Sequence, residues 1–193
     1  MSKKGIFIPI EVSARHLHLS AAHYNKLFGE KAKMHLLRPV SQPGQFVTRE
    51  TVAISTKKGS FSQVRIVGPC RPQTQFELTK TDARSLGIDP PLKRSGLVPQ
   101  QGETLILKGP QGLVRLRGGA IIAQRHIHAS TQDARKYGLK KNKIVRIEVS
   151  GERGGVFENV IVRVHPKFKW AFHLDTDEAN AFGISGNTKG RLL

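Results

Sequence analysis

The chain predicts a mainly β fold with short helices, of the α+β class: two related small β-barrel or sandwich-like domains that arise by internal duplication. Three observations carry this. Residues 59–88 align on 155–184 at a constant offset of 96 without gaps, matching Gly59/Gly155, Phe61/Phe157, Val64/Val160, Phe76/Phe172, Leu78/Leu174, Ala83/Ala179, Gly87/Gly183 and Ile88/Ile184. Identity between unrelated segments runs near 6%, far below this match. Upstream, Arg15-His-Leu-His-Leu-Ser20 mirrors Arg125-His-Ile-His-Ala-Ser130 at an offset of 110. Short β-branched runs between Gly-rich turns outnumber the helical segments in both halves.

Each half repeats one order of elements. An apolar extended run, Ile6–Val12 or Ala120–Ala123, leads as a strand into a His-x-His pair. A short helix follows: Ser20 caps Ala21–Phe28 with Gly29 as the stop, and Ser130 caps Thr131–Tyr137 with Gly138 as the stop. Thr51–Thr56, Gln63–Val67, Lys143–Val149 and Asn159–Val164 read as strands. A second helix closes each half, Thr81–Leu86 ended by Gly87 and Asp177–Phe182 ended by Gly183. The change of offset from 110 to 96 leaves about fourteen extra residues in the first half, placed within 31–46, where Pro43-Gly44 has turn chemistry. Pro, Gly and charge cluster at Asp89–Gly96, so the domains are expected at 1–92 and 93–193.

Composition bounds the function. With 193 residues and 38% hydrophobic positions the chain is long enough for a sizeable core, which excludes disorder throughout. A single cysteine, Cys70, excludes an intrachain disulfide framework, a Cys-based zinc finger and a CxxC pair, and fits a reducing, cytoplasmic setting. The chain has no run approaching 20 apolar residues, so neither secretion nor a membrane span is expected. The net charge of +18 attracts anions, and nucleic acid is the usual anion for a basic protein. Aromatics are only 6% and do not interleave with the basic residues as base-stacking platforms would, so small polyanions stay equally open. Residues 93–153 hold 13 basic and 4 acidic side chains, more cations than a small-anion site needs.

Within a strand, residues i and i+2 share a face, so His16/His18 and His126/His128 each present two imidazoles side by side, as a metal chelate requires. Eight histidines in this length give roughly 0.3 such pairs by chance, and here two occur in the same Arg-His-x-His context. The offset of 96 then sets Glu77 opposite His173 and supplies a third ligand to each pair. His16, His18 and Glu77, and likewise His126, His128 and His173, read as three-ligand positions with room for water or substrate, the catalytic rather than the structural pattern. Nitrogen-dominated ligation favours Zn²⁺, with Co²⁺, Ni²⁺ or Fe²⁺ as alternatives.

Other His-based metal families do not fit. A cupin places Glu three or four residues after His-x-His, where Ala21, Ala22 and His23 or Thr131, Gln132 and Asp133 stand, and neither pair continues as His-x-His-x-Asp-His. His23, His35 and His165 have no His partner in the repeat and read as surface residues, and Cys70 reads as an inert thiol.

The strings Val12-Ser-Ala-Arg-His-Leu-His-Leu-Ser20, Ser41-Gln-Pro-Gly-Gln-Phe46, Gly68-Pro-Cys-Arg-Pro-Gln-Thr-Gln-Phe-Glu77, Arg125-His-Ile-His128, Gly151-Glu-Arg-Gly154 and His173-Leu-Asp-Thr-Asp-Glu-Ala-Asn180 closely resemble the PduL-type phosphotransacylases, or phosphate propanoyltransferases. The resemblance runs in order from about Ile8 to Ile184. It implies reversible transfer of a short acyl group, acetyl or propanoyl, between coenzyme A and inorganic phosphate at a two-zinc site set between two β-barrel domains. It places the metal ligands on the same six residues that the repeat groups. The phosphate-binding arginine falls on Arg71, for which the repeat keeps a basic counterpart in Lys167, and the coenzyme A contacts fall on Ser13, Arg65 and Asn180. Ala129 stands where the family often has Met, and Lys93-Arg94 where an Arg-Asp pair is common.

The chemistry follows the same lines. A guanidinium fork suits a bidentate grip on phosphate. No Ser-His-Asp or Cys-His arrangement is evident, so direct transfer without an acyl-enzyme is expected. The alternatives are a zinc-dependent nucleic-acid-binding protein, disfavoured though left open by the charge, and a di-zinc hydrolase. The expected partners are coenzyme A or acyl-CoA and phosphate or acyl phosphate, in a homodimer with no membrane association. Only about ten residues precede the first motif strand, so a free cytoplasmic enzyme without an encapsulation peptide is expected.

Overall fold

A computed structural model describes residues 5–193, so the part of the N-terminal reading that falls on residues 1–4 lies outside the described residues. The first half of the chain runs β1 (Ile6–Ser13), β2 (His16–His18), α1 (Ala21–Phe28), β3 (Leu36–Pro39), β4 (Phe46–Ser55), β5 (Ser60–Gly68), β6 (Gln75–Leu78) and α2 (Lys80–Leu86). The chain continues through β7 (Leu92–Lys93), β8 (Thr104–Lys108), β9 (Leu113–Arg117), β10 (Ala120–Ala123), β11 (His126–Ala129) and α3 (Thr131–Lys136). The chain ends with β12 (Ile144–Val149), β13 (Gly155–Val164), β14 (Ala171–Asp175), α4 (Thr176–Ala181) and β15 (Lys189–Leu192). The mainly β prediction with four short helices holds, and each unit is barrel-like.

The strands form because apolar and polar residues alternate. In β12, Val145, Ile147 and Val149 point inward while Ile144 and Arg146 face solvent, and β8 buries Leu105 and Leu107 in the same way. In β6 all four residues are buried, as a strand packed on both faces requires. The helices start where a side chain can satisfy their first N–H groups. Ser20 and Ser130 accept from His23 and Asp133, Thr79 and Asp175 accept from Asp82 and Glu178, and three of the four caps are reciprocal capping boxes.

The sequence repeat reappears as strand register. In β2–β6, His16 pairs with Glu77 and Leu17 with Phe76; in β11–β14, His126 pairs with His173 and Ile127 with Phe172. The parallel pairs β2–β5 and β11–β13 set His16 beside Arg65 and His126 beside Ile161. A register shift between Val52 and Ile54 in β4 recurs between Val145 and Ile147 in β12. These last strands correspond at an offset of 93, so the first half carries about seventeen extra residues ahead of β4, and the second regains three at the Gly151–Gly154 turn. The extra segment is not all turn: Leu36–Pro39 forms β3 against β4.

The compact units are drawn differently from 1–92 and 93–193. One comprises Ala14–Ala123, and the other the N-terminal strand through Ser13 together with Gln124–Leu193. The cause is an exchange of strands. Although β1 leads into His16, it pairs in parallel with β14, Ile10 beside Phe172 and Glu11 beside His173. Conversely β10, which leads into His126, pairs in parallel with β6, Ala120 beside Phe76 and Ile121 beside Glu77. The Pro-rich stretch at 89–96 is not a boundary, since β7 pairs with β10 inside the first unit.

The first unit is a nine-stranded sheet curled into a half-barrel, in the order β7-β10-β6-β2-β5-β4-β8-β9 with β3 beside β4. Gly118 and Gly119, at φ 70° and 79°, bring the chain into β10, and a Cβ at Gly118 would lie 2.6 Å from the Pro99 carbonyl oxygen, so only glycine fits. The core of this unit centres on Leu17, Ile66, Phe76 and Leu107. The other unit is a closed six-stranded barrel, β1-β14-β11-β13-β12-β15, around Ile127, Phe157, Val160 and Phe172. Ile8 and Ile10 of β1 belong to this second core. Ile8 is fully buried, so its burial contributes about 1.5–3 kcal/mol to that barrel. Among the described residues no helix is long and apolar enough to cross a membrane.

Candidate metal centres

In the unit of residues 14–123, β2 is flanked by β6 and β5, which sets His16 directly across from Glu77 and His18 one pleat away on the same face. His16 Nε2 lies 3.2 Å from His18 Nε2, and Glu77 approaches them at 3.8 Å and 3.5 Å. The far nitrogens settle the tautomers. His16 Nδ1 is 2.8 Å from the Ala14 carbonyl and His18 Nδ1 is 3.0 Å from the Val67 carbonyl. A carbonyl only accepts, so both Nδ1 atoms carry hydrogen and both Nε2 atoms present lone pairs. Two imidazole lone pairs and a carboxylate converging within 4.8 Å form a donor set for a cation.

The electrostatics agree. Burial pushes the His18 pKa down to about 4 against the opposing pull of Glu77, so the ring is neutral at pH 7, as a metal ligand must be. Burial alone would raise the Glu77 pKa, but its close contacts with the His18 and His16 imidazoles and the hydrogen bond from Ser95 prevail and hold it well below the usual carboxylate range.

Arg71 and Ser95 complete this cluster. The Arg71 backbone N–H donates to the Leu19 carbonyl at 2.8 Å, which fixes the turn before β6 beside β2. Its guanidinium lies 3.8 Å from Glu77 and donates to the Ser95 hydroxyl at 3.4 Å, while Ser95 donates to Glu77 Oε1 at 2.5 Å. Burial lowers the Arg71 pKa and Glu77 raises it, from a starting value so high that the guanidinium stays charged. The segment carrying Ser95 is held by the Gln75 side chain, whose Oε1 accepts from Gly96 N at 2.9 Å and whose Nε2 donates to the Leu97 carbonyl at 3.3 Å. Sequence reasoning missed Ser95, because it sits in the Pro- and charge-rich stretch beyond the repeated segment, which ends at Ile88 and Ile184.

In the closed barrel, β11 and β14 place His126 across from His173, with His128 on the same face. His126 Nδ1 faces the Gln124 carbonyl at 2.9 Å, which leaves Nε2 as the lone-pair nitrogen. His128 Nδ1 faces His173 Nε2 at 3.1 Å, and one nitrogen of each of the three rings falls within 4.8 Å of the others. Phe168 packs on His128 with ring centroids 4.0 Å apart. Glu11, also missed from sequence, comes within 3.7 Å of His173 Nδ1. The exchanged strands explain its presence: Ile121 stands across from Glu77, and Glu11 across from His173, so each strand pair carries one carboxylate. Both donor sets fit a nitrogen-preferring divalent metal such as zinc.

The remaining expected site residues are placed as follows. Ser13 ends β1 beside Asp175, the N-cap of α4, and Asn180 lies exposed near the end of that helix. Arg65 is exposed on β5 next to His16 and donates to the Arg49 carbonyl at 2.7 Å. His35 and His165 are exposed as expected, whereas His23 is half-buried because its Nδ1 pairs with the Thr74 hydroxyl at 2.8 Å. Cys70 is an exposed residue, and desolvation of its thiol raises the pKa, which disfavours the thiolate.

The family model for phosphate propanoyltransferase matches residues 9–185. Similar proteins named phosphate propanoyltransferase include those of Priestia megaterium, 46% identical over 99% of this chain and 88% of the relative, and Clostridioides difficile, 42% identical over 99% and 91%. That of Alkaliphilus metalliredigens is 40% identical over 96% of this chain and 87% of the relative. With the six ligand-type residues gathered three to a unit and the match running nearly end to end, the chain belongs to the phosphate propanoyltransferase family.

Proposed function

We propose that this phosphate acyltransferase moves a short acyl group, acetyl or propanoyl, reversibly between coenzyme A and inorganic phosphate, with one zinc ion held by His16, His18 and Glu77 and a second by His126, His128 and His173. The observation that carries the reading is the pair of Nε2 lone pairs of His16 and His18, turned toward each other and toward an ionised Glu77 by carbonyls behind them. When bound, zinc supplies a Lewis acid for developing oxyanion or thiolate charge.

The chain's own residues do the rest. In the forward direction a phosphate oxygen forms a bond to the thioester carbonyl carbon, the C–S bond breaks, and coenzyme A leaves as a thiolate that is then protonated. Arg71 holds the phosphate by its guanidinium and offsets the charge repulsion between two anionic substrates. Ser95 spans Arg71 and Glu77 and fixes the guanidinium relative to the carboxylate. Ser13, Arg65 and Asn180 contact coenzyme A in this reading. Among the described residues no histidine pairs with the exposed Cys70, and in this reading transfer is direct in a ternary complex, with no acyl-enzyme. A cytoplasmic homodimer belongs to the same reading.

Formation of acetyl- or propanoyl-CoA from the acyl phosphate and CoA, followed through loss of the free thiol, tests the activity. Turnover with initial rates that intersect on double-reciprocal plots is the expected result. Parallel plots, or a covalently acylated protein, would overturn direct transfer. Release of phosphate from acyl phosphate without CoA would identify a hydrolase instead.

A further inference from the structure

Two ion pairs outside the ligand sets repeat across the units with the same anatomy. Arg15, the residue before His16, donates from Nη1 to Asp82 Oδ1 at 2.6 Å; Arg125, the residue before His126, donates from Nη1 to Glu178 Oε1 at 3.0 Å. Each guanidinium also lies over a phenylalanine at corresponding positions, Arg15 at 4.2 Å from the Phe61 ring and Arg125 at 5.4 Å from Phe157.

The acids have a second bond. Asp82 Oδ2 accepts from the N-cap Thr79 N–H at 3.3 Å, and Glu178 Oε2 accepts from the N-cap Asp175 N–H at 3.1 Å. Those caps stand two residues after the third ligands, Glu77 and His173. In each unit one carboxylate therefore joins the start of the His-x-His strand to the end of the strand that carries the third ligand. The acid changes from Asp to Glu and the third ligand from Glu to His, yet the link is kept. The pair at Asp82 is largely shielded from solvent on the acid side, so it is screened less than a surface pair.

We infer that Arg15–Asp82 and Arg125–Glu178 are positioning pairs, each setting the separation of the His-x-His ligands from the third ligand of its own metal centre. The inference rests on the two-zinc reading. A ligand set held near its final geometry before the metal arrives pays less reorganisation on binding, which is how outer partners raise metal affinity.

The test is zinc affinity of the full chain, read by competition with a chromophoric chelator, for wild type, Arg15→Gln, Arg125→Gln and the milder Asp82→Asn, with thermal unfolding of each metal-free protein alongside. Arg15→Gln and Asp82→Asn are expected to weaken one of two zinc sites about 10- to 100-fold and leave the other unchanged, and Arg125→Gln to do the reverse. Arg15→Lys is expected to restore part of the loss. On a His16→Ala background Arg15→Gln is expected to change nothing in the remaining site, whereas Arg125→Gln still weakens it. Two intact sites in every variant, with only the unfolding temperature lowered, would overturn the positioning role. A wild-type chain that binds no zinc would overturn the two-zinc reading and the inference with it.

Discussion

Ser95 donates its hydroxyl hydrogen to Glu77 Oε1 across 2.5 Å while accepting from Arg71, so one small side chain spans a ligand-type carboxylate and a phosphate-binding candidate. Removing the hydroxyl leaves Glu77 one donor short in a buried setting and releases the guanidinium. Ser95→Ala is expected to lower kcat/KM about tenfold, in line with the loss of a charge-assisted hydrogen bond. Steady-state kinetics with unchanged far-UV circular dichroism check this; an unaltered kcat/KM would remove Ser95 from the site.

Arg71 makes a different prediction because its role is assigned toward one substrate. Arg71→Ala should raise the KM for phosphate about 10- to 100-fold and move the KM for acyl-CoA far less. Arg71→Lys, a point charge without the fork, should recover only part of the loss. Equal effects on both substrates would contradict the assignment.

Glu11 stands behind His173 at 3.7 Å from Nδ1. A carboxylate in that place orients the ring and raises ligand basicity, so Glu11→Gln is expected to weaken zinc at the three-histidine cluster by about tenfold or more and leave the cluster of His16, His18 and Glu77 unchanged. Metal content after dialysis against a graded chelator series reads this directly. Equal retention by variant and wild type would dismiss the outer role.

The exchanged strand is testable through stability. Ile8 precedes the first His pair in sequence, yet it is fully buried in the core that includes Ile127 and Phe172. Ile8→Ala should destabilise by about 2–5 kcal/mol. Hydrogen exchange should rise in peptides of residues 124–193 rather than in those of 14–123. The opposite distribution would contradict the assignment of β1 to the closed barrel.

Much of the candidate site is legible in sequence because its signals are local or duplicated. The period of two along β2 and β11 puts each His-x-His pair on one face, and the offset of 96 delivers Glu77 and His173, which the register then sets across from His16 and His126. Ser20, Thr79, Ser130 and Asp175 begin their helices at or within a few residues of the expected starts, since capping is a short-range interaction. The unit boundaries are not legible. Ile6–Val12 and Ala120–Ala123 have the same apolar character, and nothing local tells either strand which half to join; sequence neighbours usually pair, and here they do not. Ser95 and Glu11 lack a duplicated counterpart of their own type, and each acquires its role only through distant pairing, Ser95 through Gln75 and Glu11 through β14. The charge of +18 chooses no partner by itself, because charge acts over distance and carries little geometry.

The central claim is that acyl transfer depends on two metals held by these six residues. Zinc analysis of the purified chain, combined with the thiol assay before chelation, after it and after zinc is restored, tests that claim most directly. The account predicts close to two zinc ions per chain, loss of CoA acylation on chelation and its return with zinc, and about one ion remaining in His16→Ala or His126→Ala. Full acyl transfer by a metal-free chain would contradict it.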